Sequence, residues 1–196
     1  PEPEPEEIWR EDFNLTDGSD FLPRTGWDTI GGIGAWKIYN PSGNNTGILY
    51  SEDETWRQTL LFKDTGQADH SVEAPIKFGS ANSVAGVVAG CNSSTSACLI
   101  FSLVHHMGEN AIKLDWFDGD ETYTLLDSVD SAGLTLETWY KLMLDLDGNL
   151  VQALVDDELV FEVTLSNPQR SALGQSAGID SFAGMANFQY MTAWST

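Results

Sequence analysis

Basic residues are scarce in this chain: 9 lysines and arginines stand against 30 aspartates and glutamates, a formal charge of −21. That shortage excludes a phosphate-tracking nucleic-acid surface, which needs a basic footprint. It disfavours anionic membranes for the same reason. No apolar run approaches the ~18 residues of a spanning helix, so no membrane partner is expected. There is no Gly-x-Ser-x-Gly, HExxH, phosphate-loop or dinucleotide motif, and no internal repeat with a period of roughly 20–50 residues. The start lacks both an initiator methionine and a signal-peptide pattern, which leads us to expect an excerpt of a longer precursor. Cysteine is limited to 2 residues, too few for a thiolate zinc shell without other ligands.

What remains is rich in strands. The chain has 196 residues, 41% hydrophobic, with 7 Trp, 9 Phe and 5 Tyr, enough for one sizeable core. Residues 1–7, PEPEPEE, alternate proline and glutamate. They read as the end of a stiff, acidic linker that tethers other domains of the same polypeptide. Residues 8–196 read as one domain, expected to be a monomer, whose first strand covers Ile8–Phe13. Segments such as SVAGVVAG, CLIFSLVHH, AIKLDWF and TWYKLMLDL alternate or run apolar over strand lengths. They are separated by turn signals at 118–119, 145–149 and 155–158. Only 166–173 suggests a helical turn, and the Gly-rich 14–34 reads as a long loop. About fourteen short strands without crossover helices predict an all-β, two-sheet antiparallel β-sandwich.

The stretch AGCNSSTSACLI reads as a hairpin that brings Cys91 opposite Cys98. Opposed strand residues have Cα atoms about 4.5–5.5 Å apart, within disulfide reach. A bridge there implies an oxidising, extracellular setting, hence a secreted protein; two reduced cysteines in a cytosolic protein are the plainer alternative. N-x-S/T sequons begin at Asn14, Asn44 and Asn92 and place those residues on loops in a glycosylating host. The acidic surface has three open readings: plain hydration, life in salt water, and cation binding.

The order of features carries a resemblance. An early EDF is followed by AWKI, GILYSE, a run of sheet strands, the meander TWYKLMLDLDGNLVQALVDDELVFEVT, then GQSAGIDSFAG and a closing ANFQYMTAW. This pattern resembles the concanavalin A-like lectin/glucanase jelly roll in its laminin-G-like and carbohydrate-binding-module forms. The resemblance implies a glycan binder, a glycan-cleaving enzyme or an adhesion module. It also implies a structural calcium where the first and last strands meet, with Asp12 as one ligand. Asn187 stands where that family more often has Asp. Calcium seeks about six to eight oxygens, and Asp12 with Asn187, Glu11, Asn14 and backbone carbonyls is the expected set.

Catalysis by the two-carboxylate route needs acids about 5–9.5 Å apart, and no strand here carries an E-x-D-x-x-E-like run. The acidic groups at 51–54, 118–121 and 155–158 sit in turns. Adjacent His105 and His106 face opposite ways on a strand, so they cannot share one site. The expected function is therefore non-catalytic carbohydrate binding. An adhesion or structural jelly roll and a glycan-active hydrolase or lyase are the alternatives. Sugars are held by aromatic faces and planar polar groups. The polar strand faces nominate Arg57, His106, Lys113, Asp115, Trp139 and Lys141, with Trp27 as a stacking platform on the irregular loop. Most Trp residues of a sandwich lie in its core, and Lys–Asp pairs on a sheet are often cross-strand salt bridges.

Overall fold

Alternation decides which way a strand's side chains point, and along Tyr140–Asp147 it separates interior from surface residue by residue. The structure, a computed structural model, describes residues 5–30, 36–40, 47–51, 58–120, 122–131, 133–136, 138–182 and 186–196. Among them the strands are β1 (Glu7–Glu11), β2 (Trp27–Ile30), β3 (Trp36–Tyr39), β4 (Ile48–Ser51), β5 (Gln58–Asp64), β6 (His70–Phe78), β7 (Ser83–Cys91) and β8 (Cys98–His106). They continue with β9 (Glu109–Phe117), β10 (Tyr123–Asp130), β11 (Tyr140–Asp147), β12 (Leu150–Val155), β13 (Glu158–Thr164), β14 (Ser176–Phe182), β15 (Ala186–Phe188) and β16 (Met191–Ser195). The helix α1 (Asn167–Ala172) falls where the sequence suggests a helical turn. Ser166 and Gln169 cap each other's backbone N–H, and Pro168 fits the first turn.

Two antiparallel sheets result. One runs β13-β12-β11-β6-β15-β4-β3, with β16 pairing both β6 and β1; the other runs β10-β9-β8-β7-β14-β5-β2. This is the two-sheet, concanavalin A-like sandwich expected from the sequence. Two boundaries differ. The 14–34 stretch is not all loop: β2 forms inside it because Trp27 and Thr29 pair with Lys63 and Leu61 of β5. The first strand is Glu7–Glu11 rather than Ile8–Phe13. Glu6 already exchanges hydrogen bonds with Ser195, and Phe13 turns its backbone to φ 54 to enter the core.

The sandwich interior is built from alternate residues of both sheets. Val72, Ala74 and Ile76 of β6 and Leu142, Leu144 and Leu146 of β11 meet Val87, Leu99, Phe101, Leu103, Leu114 and Ile179 of the opposite sheet. Truncating any of the large ones to Ala would cost about 2–5 kcal/mol. The apolar run of β8 does not alternate because its other face is covered too. Leu60, Phe62, Val88, Cys91, Cys98, Ile100 and Phe117 form a second, smaller cluster on the outer side of the seven-stranded sheet. That cluster leaves one part of the outer face open, beside β9 and β10.

Candidate functional site

Across the outer face of the seven-stranded sheet runs the row Asp180, Gly86, Ser102, Lys113, each paired with the next on the neighbouring strand. The middle positions carry almost no side chain, so the row is low at its centre and charged at both ends. Gly86 is required for this: a Cβ there would come within 2.4 Å of the Phe101 carbonyl oxygen. Val84, Val104, Phe182 and His106 rise on one side of the row, and Ile100 and Asp115 on the other. Together they enclose an open cavity of about 270 Å³ that Glu109 and Tyr123 complete.

Tyr123 supplies the exposed aromatic surface. It opens β10 directly opposite Phe117, which ends β9, and the two rings stack at 4.7 Å and 22°. Phe117 is buried, whereas Tyr123 remains 46% exposed. One aromatic ring is thus pinned from below with much of its surface open to solvent. His106 meets Phe182 edge to face at 5.9 Å. Lys113 Nζ pairs with Glu109 at 2.7 Å. Burial raises the Asp115 carboxyl above its usual range; Lys113 opposes that shift and Glu109 adds to it. Asp180 is 1% exposed. Lys113, His106, Tyr123, Glu109 and Asp115 together offer an amine, an imidazole, a hydroxyl and two carboxylates to a polyhydroxylated ligand, beside one flat aromatic face.

Of the residues nominated from sequence, His106, Lys113 and Asp115 come together here. His105, on the other face as expected, packs on Phe78 and pairs through Nδ1 with Asn110. Lys141 and Trp139 do not join the group. Lys141 belongs to the nine-stranded sheet, with Trp139 just ahead of its strand, because β11 pairs β6 and β12 rather than β9. There Lys141 lies 2.5 Å from Asp157 and 3.8 Å from Glu73. Glu73 accepts from the Tyr190 hydroxyl at 2.7 Å; burial, aided by Glu73, pushes that phenol up to about 12. Arg10 covers the Tyr190 ring at 4.0 Å, and Lys77 stands 5.4 Å over Trp139. Trp27 is no loop platform: it is 7% exposed and wedged edge-on between Trp9 and Phe21. Arg57 lies outside the described residues.

Two of the expected calcium ligands have protein partners. Asp12 holds Arg10 at 2.7 Å, and Asn187 donates its amide N–H to the Lys77 carbonyl oxygen at 3.4 Å. Among the described residues no three His, Cys, Asp or Glu side chains come together as a metal site. Cys91 and Cys98 are buried thiols joined by a hydrogen bond. No helix among the described residues is long and apolar enough to cross a membrane.

Sequence reasoning overlooks Tyr123 and Asp180, although both leave a trace. The DG turn at 118–119 folds β10 back on β9, which sets Tyr123 opposite Phe117. Asp180 is the one acid in the apolar strand SAGIDSF. A separate polar cavity of about 360 Å³ lies at the far end of the same face, lined by Asp28, Asp64, Asn92, Ser93 and Gln175. Asp28 pairs with Phe62, so Asp64 is its diagonal neighbour, about 7–8 Å away.

No protein-family model matches the chain, and no curated protein matches its sequence. Solved structures do match it. The carbohydrate-binding module CBM66 from Bacillus subtilis superposes with a TM-score of 0.61 at 15% identity, over 85% of this chain and 94% of that one. A Bacillus subtilis protein of unknown function with a galectin-like fold gives 0.65 at 11%, over 95% and 94%. A glycoside hydrolase family 16 endo-glucanase from Bacteroides ovatus gives 0.61 at 10%, over 95% and 99%. At such identities the likeness is one of fold.

Proposed function

We propose that this chain is a non-catalytic carbohydrate-binding module of a secreted modular protein, taking a poly- or oligosaccharide on the outer face of its seven-stranded sheet. The observation that carries the reading is Tyr123: an exposed ring, fixed by Phe117, beside the low row of Gly86 and Ser102 with His106, Lys113 and Asp115 around it. Pyranose rings bind in this way, an apolar C–H face on the aromatic and hydroxyls on planar polar groups. Asp180 and Asp115 stand three strands apart, about 14 Å or more between backbones, beyond the ~9.5 Å carboxyl spacing of glycosidases, and Glu109, the third carboxylate of the cavity, is engaged by Lys113 at 2.7 Å. The net charge of −21 favours a neutral glycan over an acidic one. The module would raise the local substrate concentration for tethered domains.

Affinity electrophoresis against a panel of neutral plant and algal polysaccharides tests the reading. Retardation by at least one of them, clearly weakened in Tyr123→Ala, is the expected result. A folded protein retarded by none would overturn it and leave the adhesion reading in front.

The second reading, a glycan-active enzyme, is favoured by one observation. Asp28 and Asp64 are diagonal neighbours within the carboxylate spacing of glycosidases. Both are exposed to water, whereas a general acid is held protonated by an apolar setting. Release of reducing ends that disappears in Asp64→Asn would establish the enzyme.

A further inference from the structure

We propose that Cys91 and Cys98 close to a disulfide across the mouth of the β7–β8 hairpin, and that this bond braces the turn presenting Tyr123. The register carries the first half. β7 and β8 pair regularly up to Ala89 opposite Leu99. Gly90, at φ 64, then inserts one extra residue into β7. Beyond this bulge Cys91 falls opposite Cys98, and Asn92 falls opposite Ala97, whose carbonyl accepts the Asn92 N–H at 2.9 Å. In an antiparallel ladder hydrogen-bonded and non-hydrogen-bonded pairs alternate. The cysteines therefore hold a non-hydrogen-bonded pair, with Cα atoms about 4.5 Å apart and side chains close together. That separation lies within the range that a disulfide spans. Both side chains enter the same buried cluster, on one face of the sheet.

The second half rests on what the hairpin tip touches. A Cβ on Gly119 would fall 1.7 Å from the Thr95 carbonyl oxygen, so the tip and the β9–β10 turn are in direct backbone contact. Asp118 Oδ1 closes that turn by accepting from the Asp120 and Thr122 N–H groups, and Tyr123 follows at once. The tip is thus packed against the segment that sets the ring.

The chemistry is thiol–disulfide exchange with a small disulfide such as oxidised glutathione. One protein thiolate attacks the small disulfide and releases one reduced thiol. The second protein thiolate then attacks the mixed disulfide and releases another, leaving Cys91–S–S–Cys98 and two small thiols, which take up the two protons that the protein thiols lose. Burial holds the Cys98 thiol protonated, which slows attack in the folded state. The bond is expected to form during folding and to resist reduction afterwards.

The test uses the parent chain refolded in a glutathione redox buffer and, in parallel, under excess reductant. Each sample is then denatured, alkylated and weighed, and the peptides carrying Cys91 and Cys98 are mapped. The expected result is an unalkylated, reducible pair in the first sample and two alkylated thiols in the second. The oxidised form should melt about 5–10 °C higher, since the bond closes a short loop in the unfolded chain. Limited proteolysis at 118–122 should be slower in the oxidised form, while Cys91→Ala should respond to neither buffer. Two alkylated thiols after oxidative refolding would overturn the bond. A bond that leaves melting and cleavage at 118–122 unchanged would overturn the bracing. Neither readout involves a glycan, so the pair stands or falls apart from the binding reading.

Discussion

Truncating Tyr123 to Ala removes the exposed aromatic face together with its stack on Phe117. A large aromatic side chain offers on the order of 150–250 Å² of surface. With 46% exposed, roughly 70–110 Å² of it is open to a ligand. A sugar ring lying on that surface would cover about half, worth about 1 kcal/mol at ~25 cal/mol per Å². The matching C–H face of the sugar gains a comparable amount, so the whole contact is worth about 1.5–2 kcal/mol, a roughly 10- to 30-fold rise in Kd. Isothermal titration with the best-retarded glycan would read this directly. Tyr123→Phe keeps the face and loses only a hydroxyl, so it should bind within about threefold of the parent. The fold should survive both changes. Losing the stack on Phe117 costs about 0.5–1.5 kcal/mol, a fall of about 2–6 °C in Tm. Binding by Tyr123→Ala within twofold of the parent would refute the stacking argument and the site built on it.

Asp115→Asn should stabilise the protein at pH 7. A carboxyl raised above 3.8 by burial is ionised at a cost in the native state, so the variant's advantage should fade as pH falls toward 3.8; a variant less stable than the parent at pH 7 would contradict this. His70, buried at the start of β6, should make the fold acid-sensitive. Burial lowers its value from 6.5, so stability is complete above 6.5 and declines as pH falls below it, where only the unfolded chain takes up the proton. Denaturant melts between pH 8 and 5 check this, and His70→Gln should flatten the slope over that range. Calcium should leave Tm unchanged within about 1 °C relative to a chelator, because Asp12 is engaged with Arg10; a larger rise with calcium would restore the expected site.

Much of the fold follows from the period of two in segments such as YKLMLDL, where Leu142, Leu144 and Leu146 go inward and Lys141, Met143 and Asp145 outward. The same rule sets His106, Lys113 and Asp115 on one outer face. It cannot set the sheet to which that face belongs. Lys141 and Lys113 follow the same local pattern, yet a strand's partners are chosen by long-range pairing, and these two residues point out of opposite sides of the sandwich. Trp27 fails for a related reason. Its glycine-rich surroundings read as loop, but the edge of β5 offers unpaired backbone groups that four residues of 14–34 satisfy as β2.

Tyr123 shows where a local reading could have gone further. Once the turn at 118–119 is taken as a hairpin, its partner across the strand must lie near Phe117, and an aromatic opposite an aromatic at a sheet edge has one ring covered and one exposed. The cysteine hairpin is legible by the same logic of opposed residues, but the contact of its tip with Gly119 is not. That contact depends on two turns from different hairpins meeting at one end of the sheet. Local spacing therefore finds the ring and the thiols separately, whereas only the three-dimensional arrangement places the thiol pair in the support of the ring. A binding surface with one principal aromatic depends heavily on how firmly that aromatic is held. This makes the β9–β10 turn, rather than the polar row itself, the segment where distant changes should most affect affinity.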